Sequence, residues 1–114
     1  MTNAPHPAPE EREFDAVVGA LAPLLRASPL VEYAFGHGSF FERLPYHDID
    51  IAIRVPEGAL ADHHALYALA AMCGHAVGRP VDLQELNGTT PGFRWVATSG
   101  TLLCARDPEC SRRD

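Results

Sequence analysis

The sequence predicts a small α/β (α+β) domain, and three observations predict it. Apolar residues after Glu10 recur with the period of about 3.6 that a helix imposes. Residues from Asp48 to Val55 alternate as a strand does, and a long helical stretch separates that alternation from another short apolar run. A chain of 114 residues has room for one hydrophobic core, since a domain of this size buries roughly two thirds of the surface its extended chain exposes. The expected organisation is a disordered lead-in over 1–9, one domain over 10–106 and a polar tail over 107–114.

Phe14, Val17, Val18, Leu21, Leu24 and Leu25 follow one another at three- and four-residue spacing, which predicts an amphipathic helix over about 10–26. Pro23 is expected to tighten or bend its end. Val31-Glu32-Tyr33-Ala34-Phe35 combines aromatic and β-branched residues as a first strand does, and Gly36 and Gly38 are expected to break it. Ile49, Ile51, Ile53 and Val55 form the apolar half of a second strand over 48–55, whose other half begins with Asp48 and Asp50. Pro56-Glu57-Gly58 ends it. An alanine-rich helix follows over 59–77, with Leu60, Leu66, Leu69, Ala70, Met72 and Cys73 available for packing.

Gly78-Arg79-Pro80 closes the connection to a third strand over 81–86. A helical crossover between two strands makes parallel pairing the economical arrangement, which places Asp82 beside Asp48 and Asp50. After the turn at Asn87-Gly88-Thr89-Thr90-Pro91, a short helix over 92–99 and a last strand over 101–104 complete the reading.

Composition excludes several classes. No apolar run approaches the roughly 18 residues that cross a bilayer, and Met1 to Pro9 has neither the basic nor the apolar region of an export signal. Cys73, Cys104 and Cys110 contain no CxxC pair and leave one thiol over in any pairing, which fits a reducing compartment and a cytoplasmic protein. The formal charge is −6, and the 9 basic residues are all arginine. A duplex-binding face needs a basic stripe, and the only dense basic cluster is Arg112-Arg113, so nucleic acid is not the expected main partner. A single nucleotide needs only one or two arginines and a metal.

The chemistry concentrates in three acids. Asp48 and Asp50 are two apart on a strand and point the same way, so they can bridge a metal pair about 3.5–4 Å apart. Two solvated acids at a polar strand start are the plain alternative, and the Ile-x-Ile pattern that buries the opposite face argues against it. Asp82 stands between apolar Val81 and Leu83, and alone it could serve a salt bridge to Arg54 or Arg79. Beside the other two it becomes a third metal ligand. Carboxylates this close repel one another unless a cation or bound protons neutralise them.

Gly38-Ser39 lies in the turn after the first strand, where backbone N–H groups and a hydroxyl can cradle a phosphate. Alone the dipeptide could merely cap a short helix through Phe40 and Phe41. Followed nine residues after Ser39 by Asp48, it is a specific signal. Arg43, Arg54, Arg79 and Arg94 are candidate anion binders that sequence does not separate from surface ion pairs. His37 and His47 read as ordinary hydrogen-bonding residues, with no zinc-site spacing.

The string Gly38-Ser39-Phe40-Phe41-Glu42-Arg43-Leu44-Pro45-Tyr46-His47-Asp48-Ile49-Asp50-Ile51-Ala52-Ile53 resembles the signature of the minimal nucleotidyltransferase domains in the polymerase β-like superfamily, with Asp82 as their third carboxylate. The resemblance runs from about Tyr33 through Gly100-Thr101-Leu102-Leu103. It implies a small mixed twisted sheet with helices packed mainly on one face. It also implies transfer of a nucleoside monophosphate, AMP from ATP, onto a hydroxyl with release of pyrophosphate. Asp48, Asp50 and Asp82 would be the catalytic metal ligands for Mg2+, two ions when substrate is bound, with Gly38, Ser39 and Arg43 at the nucleotide.

Small relatives of this kind adenylylate a tyrosine on a helical HEPN toxin, so the implied partner is such a protein or a second copy of the chain. Two features depart from the commonest pattern: the Arg-Gly pair that often follows the Gly-Ser is missing, and the spacing to the first aspartate is shorter. Reading Gly36-His37 as the Gly-Ser position restores the spacing but loses the serine, so Gly38-Ser39 is preferred. The alternatives to transfer are a non-catalytic module that masks its partner and a domain that binds nucleotide or metal without reacting.

Overall fold

A computed structural model of the protein describes residues 4–56, 63–87, 91, 95 and 100–105. The elements are α1 (Glu11–Ala27), β1 (Tyr33–His37), β2 (Ile49–Arg54), α2 (His63–Val77), β3 (Val81–Glu85) and β4 (Thr101–Ala105). The four strands form one mixed sheet in the order β3-β2-β1-β4. β1 runs antiparallel to both β2 and β4, while β2 and β3 are parallel, as the helical crossover requires.

α1 packs over β4, α2 packs over β3, and the two helices touch each other. Phe14, Val17, Leu21 and Leu25 supply the buried stripe of α1. They close on Ala34 of β1, Ile49, Ile51 and Ile53 of β2, Leu83 of β3, and Leu103 and Cys104 of β4. The opposite sheet face carries a smaller apolar cluster of Tyr33, Ala52 and Leu86, with Phe35 and Ala105 against it. The alternation in β2 therefore assigns isoleucines to the helix-covered face and Asp50 to the other.

Several expectations are corrected. The first strand lies two residues later than its β-branched and aromatic content suggests, because pairing to β2 continues through Gly36 to His37. Met72 is 55% exposed rather than packed. Within the described part of the lead-in, His6 and Tyr46 exchange backbone hydrogen bonds of 2.7 and 3.0 Å, and their rings stand 5.2 Å apart. Asn87 also does more than turn the chain. Its side-chain oxygen accepts from Val55 N at 3.0 Å and its amide donates to Val55 O at 2.9 Å, which extends the β2–β3 pairing by one side chain. Leu60, the helix expected over 92–99 apart from Trp95, which is helical and exposed, and the tail over 107–114 lie outside the described residues. No described helix is long and apolar enough to cross a membrane.

Candidate active site

The site forms where β1 ends, where β2 and β3 begin, and where the turn between β1 and β2 folds back. Gly38 leaves β1 with φ +81°, a left-handed conformation that costs an L-residue roughly 1–2 kcal/mol. Close approach adds a second reason for glycine, since a Cβ here would stand 2.6 Å from Asp50 Oδ2. The turn then winds through helical-type bonds: Glu42 N donates to Gly38 O at 3.1 Å and Leu44 N to Ser39 O at 2.9 Å.

Phe40 and Phe41 anchor this turn. Both are buried, and the two rings meet edge to face with centroids 5.1 Å apart. Phe41 lies against Gly36, where any Cβ would collide with its ring. Gly36 is thus the hole that Phe41 fills, whereas Gly38 is the glycine beside the acids. That division favours Gly38-Ser39 over Gly36-His37 as the phosphate-facing pair.

The acids are brought to neighbouring positions. Asp50 pairs with Asp82 across the parallel β2–β3 ladder and with His37 across the antiparallel β1–β2 ladder, so His37, Asp50 and Asp82 form one row across three strands. Asp48 immediately precedes β2. Burial pushes the Asp50 carboxyl above its usual range; His37 opposes that shift, and Asp82 and then Asp48 add to it. The three acids therefore share one electrostatic field.

They do not close around a common point: among the described residues no three His, Cys, Asp or Glu side chains stand together as a metal-holding group. Asp82 is exposed, and its Oδ2 accepts a 2.8 Å hydrogen bond from Gln84 Nε2. The donor set is nonetheless all carboxylate oxygen, the ligand type that a hard divalent cation takes.

Arg43 is not brought to this cluster. Its guanidinium stacks 3.5 Å from the centroid of Phe14, its Nη1 donates to Phe41 O at 3.2 Å, and its own backbone is left-handed at φ 60°. A cavity of about 370 Å3 adjoins the turn, lined by Gly36, His37, Gly38, Phe41, Glu42, Gly100 and Thr101. A larger cleft of about 530 Å3 lies between α2 and the start of β3, and its described lining holds no acid. Chemistry, not size, assigns the site. Sequence reading missed Gln84, which bridges His37 and Asp82; its position two residues after Asp82, hence on the same strand face, was the available signal.

No protein-family model matches the chain, and no curated protein matches it. Solved structures do. A chain of the toxin–antitoxin pair MntA–HepT superposes with TM-score 0.66 at 20% identity, covering 87% of this chain and 78% of that one. A chain of the tri-AMPylated Shewanella oneidensis HEPN toxin in complex with MNT antitoxin gives TM-score 0.67 at 22% identity, covering 88% and 78%. A toxin–antitoxin structure with AMP-PNP gives 0.66 at 22%, covering 81% and 76%. At such identities the likeness speaks for architecture alone: the chain shares with these solved chains the fold of a four-stranded mixed sheet with helices packed on one face.

Proposed function

We propose that the protein is a metal-dependent nucleotidyltransferase that moves AMP from ATP onto a hydroxyl, a tyrosine of a helical HEPN-type partner, and releases pyrophosphate. The observation that carries this reading is the row in which Asp50 faces Asp82 on parallel strands, with Asp48 next to it and the Gly38 turn against the Asp50 carboxylate. The solved neighbours support the nucleotide and the partner, since one holds AMP-PNP and another pairs an MNT antitoxin with an AMPylated HEPN toxin.

Asp48, Asp50 and Asp82 would hold magnesium. Bound there, magnesium would neutralise phosphate charge and lower the cost of ionising the acceptor hydroxyl. The chain's own contribution is placement. Backbone N–H groups at Gly38 and Ser39 would receive the phosphates, and the missing side chain at Gly38 keeps that surface open to Asp50. In the reaction the acceptor oxygen bonds to the α-phosphorus, the bond from that phosphorus to the pyrophosphate oxygen breaks, and the hydroxyl proton leaves to solvent. Arg43 is engaged with Phe14 and is left out of the proposed binding set. The acceptor would come from outside this domain, whose described residues are committed to one main core and an open site.

The test is intact-mass analysis of a helical HEPN-type partner co-expressed with this chain, beside Asp48→Asn and Asp50→Asn controls. One or more adenylyl increments that vanish in both controls are expected. A tight complex with no increment would leave masking of the partner as the function.

A further inference from the structure

We infer that Gln84 is a positioning residue that sets the Asp82 carboxylate for a cation, an inference that rests on the metal-dependent reading of the acid row. Gln84 stands on β3 opposite Ala52 of β2, and its side chain spans β2 to reach His37 of β1. Gln84 Oε1 lies 2.9 Å from His37 Nε2, and Gln84 Nε2 donates to Asp82 Oδ2 at 2.8 Å. Ala52 is fully buried and presents only a methyl group, which leaves the space over β2 that the amide crosses.

The orientation of that amide is dictated by its partners. An ionised carboxylate only accepts, so Gln84 must present its NH2 to Asp82 and its carbonyl to His37, and His37 must then carry hydrogen on Nε2. Asp50 lies between His37 and Asp82 in the same row, so this single amide links the two neighbours of Asp50. A carboxylate on an exposed strand position is otherwise free to rotate, and repulsion from Asp50 favours turning it outward. Gln84 takes one oxygen, Oδ2, and leaves Oδ1 for a cation. Hydrogen bonds of this outer kind commonly fix the orientation of a metal ligand and change metal affinity by about 10–100-fold when lost.

Two substitutions separate the links. Gln84→Leu removes both hydrogen bonds at similar volume. Gln84→Glu keeps an acceptor toward His37 but replaces the donor toward Asp82 with repulsion. On the full chain, Mn2+ binding in the presence of AMP-PNP is measured by water proton relaxation, the His37 ring nitrogens by NMR, and folding by thermal melting. Both variants are expected to melt cooperatively and to bind Mn2+ about tenfold or more weakly. His37 should keep Nε2 protonated in Gln84→Glu and lose that preference in Gln84→Leu. Mn2+ binding within about twofold of the wild type in either cooperatively melting variant overturns the inference, because losses below the usual outer-ligand range leave Gln84 no positioning role. A wild-type chain that binds no Mn2+ with AMP-PNP would overturn the metal-dependent reading itself, a failure recognised without either variant.

Discussion

Asp50 is where folding and chemistry oppose each other. Its carboxyl is raised chiefly by burial, and further by Asp82 and Asp48 against the pull of His37. A raised folded-state pKa means that the folded protein keeps its proton where the unfolded chain has lost it. This residue's contribution therefore lowers stability as pH rises from the unfolded carboxyl value through the folded one, and the loss persists above both. Asp50→Asn should accordingly melt a few degrees above the wild type at neutral pH while losing transfer. The gap should close as the pH falls below about 4, where the carboxyl is protonated in both states. Thermal melts across that range check it, and equal midpoints at neutral pH would be the contrary result. Glycines give a paired test. Gly38→Ala meets both a left-handed backbone and the Asp50 carboxylate and should cost at least about 1–2 kcal/mol in denaturant unfolding. Gly19→Ala lies within α1 with nothing within 4 Å of the added Cβ and should stabilise by about 0.5–1 kcal/mol.

The turn between β1 and β2 shows what could and could not be read from residue order. Alternation in β2 was legible because one face of a strand must be buried, and the parallel β2–β3 pairing was legible because a helix separates them. The end of β1 was not. Gly36 looks like a breaker, yet it lies within the strand because the Phe41 ring, five residues later, occupies the space its side chain would need. Asn87 was missed because its partner Val55 is 32 residues away, and Gln84 because its link to His37 spans 47 residues, although its place two residues after Asp82 was a local signal. Among the acids, strand period and topology placed Asp50 opposite Asp82, whereas the other bond of Gln84, to His37, depends on reach across three strands. Arg43 illustrates a charge whose use is structural. Arg43→Ala removes its stacking on Phe14 and its bond to Phe41 O. The expected result is a loss of about 0.5–1 kcal/mol in stability, with AMP-PNP affinity by calorimetry unchanged. A large drop in affinity would return Arg43 to the phosphate site.

At the scale of the molecule, a four-stranded sheet with helices on one face leaves the acid row on the other, at the end where β2 and β3 begin. That placement suits a protein that brings the nucleotide and receives the acceptor from a partner. The proposed chemistry needs cations shared by three carboxylates gathered at the starts of two adjacent strands. The most direct test is a crystal structure of the chain with Mn2+ and AMP-PNP, with the manganese located by anomalous scattering. Anomalous peaks between Asp48 and Asp50, with Asp82 Oδ1 within about 2.0–2.6 Å of one of them, are the expected result. Manganese bound elsewhere, or Asp82 outside its coordination shell, would contradict it.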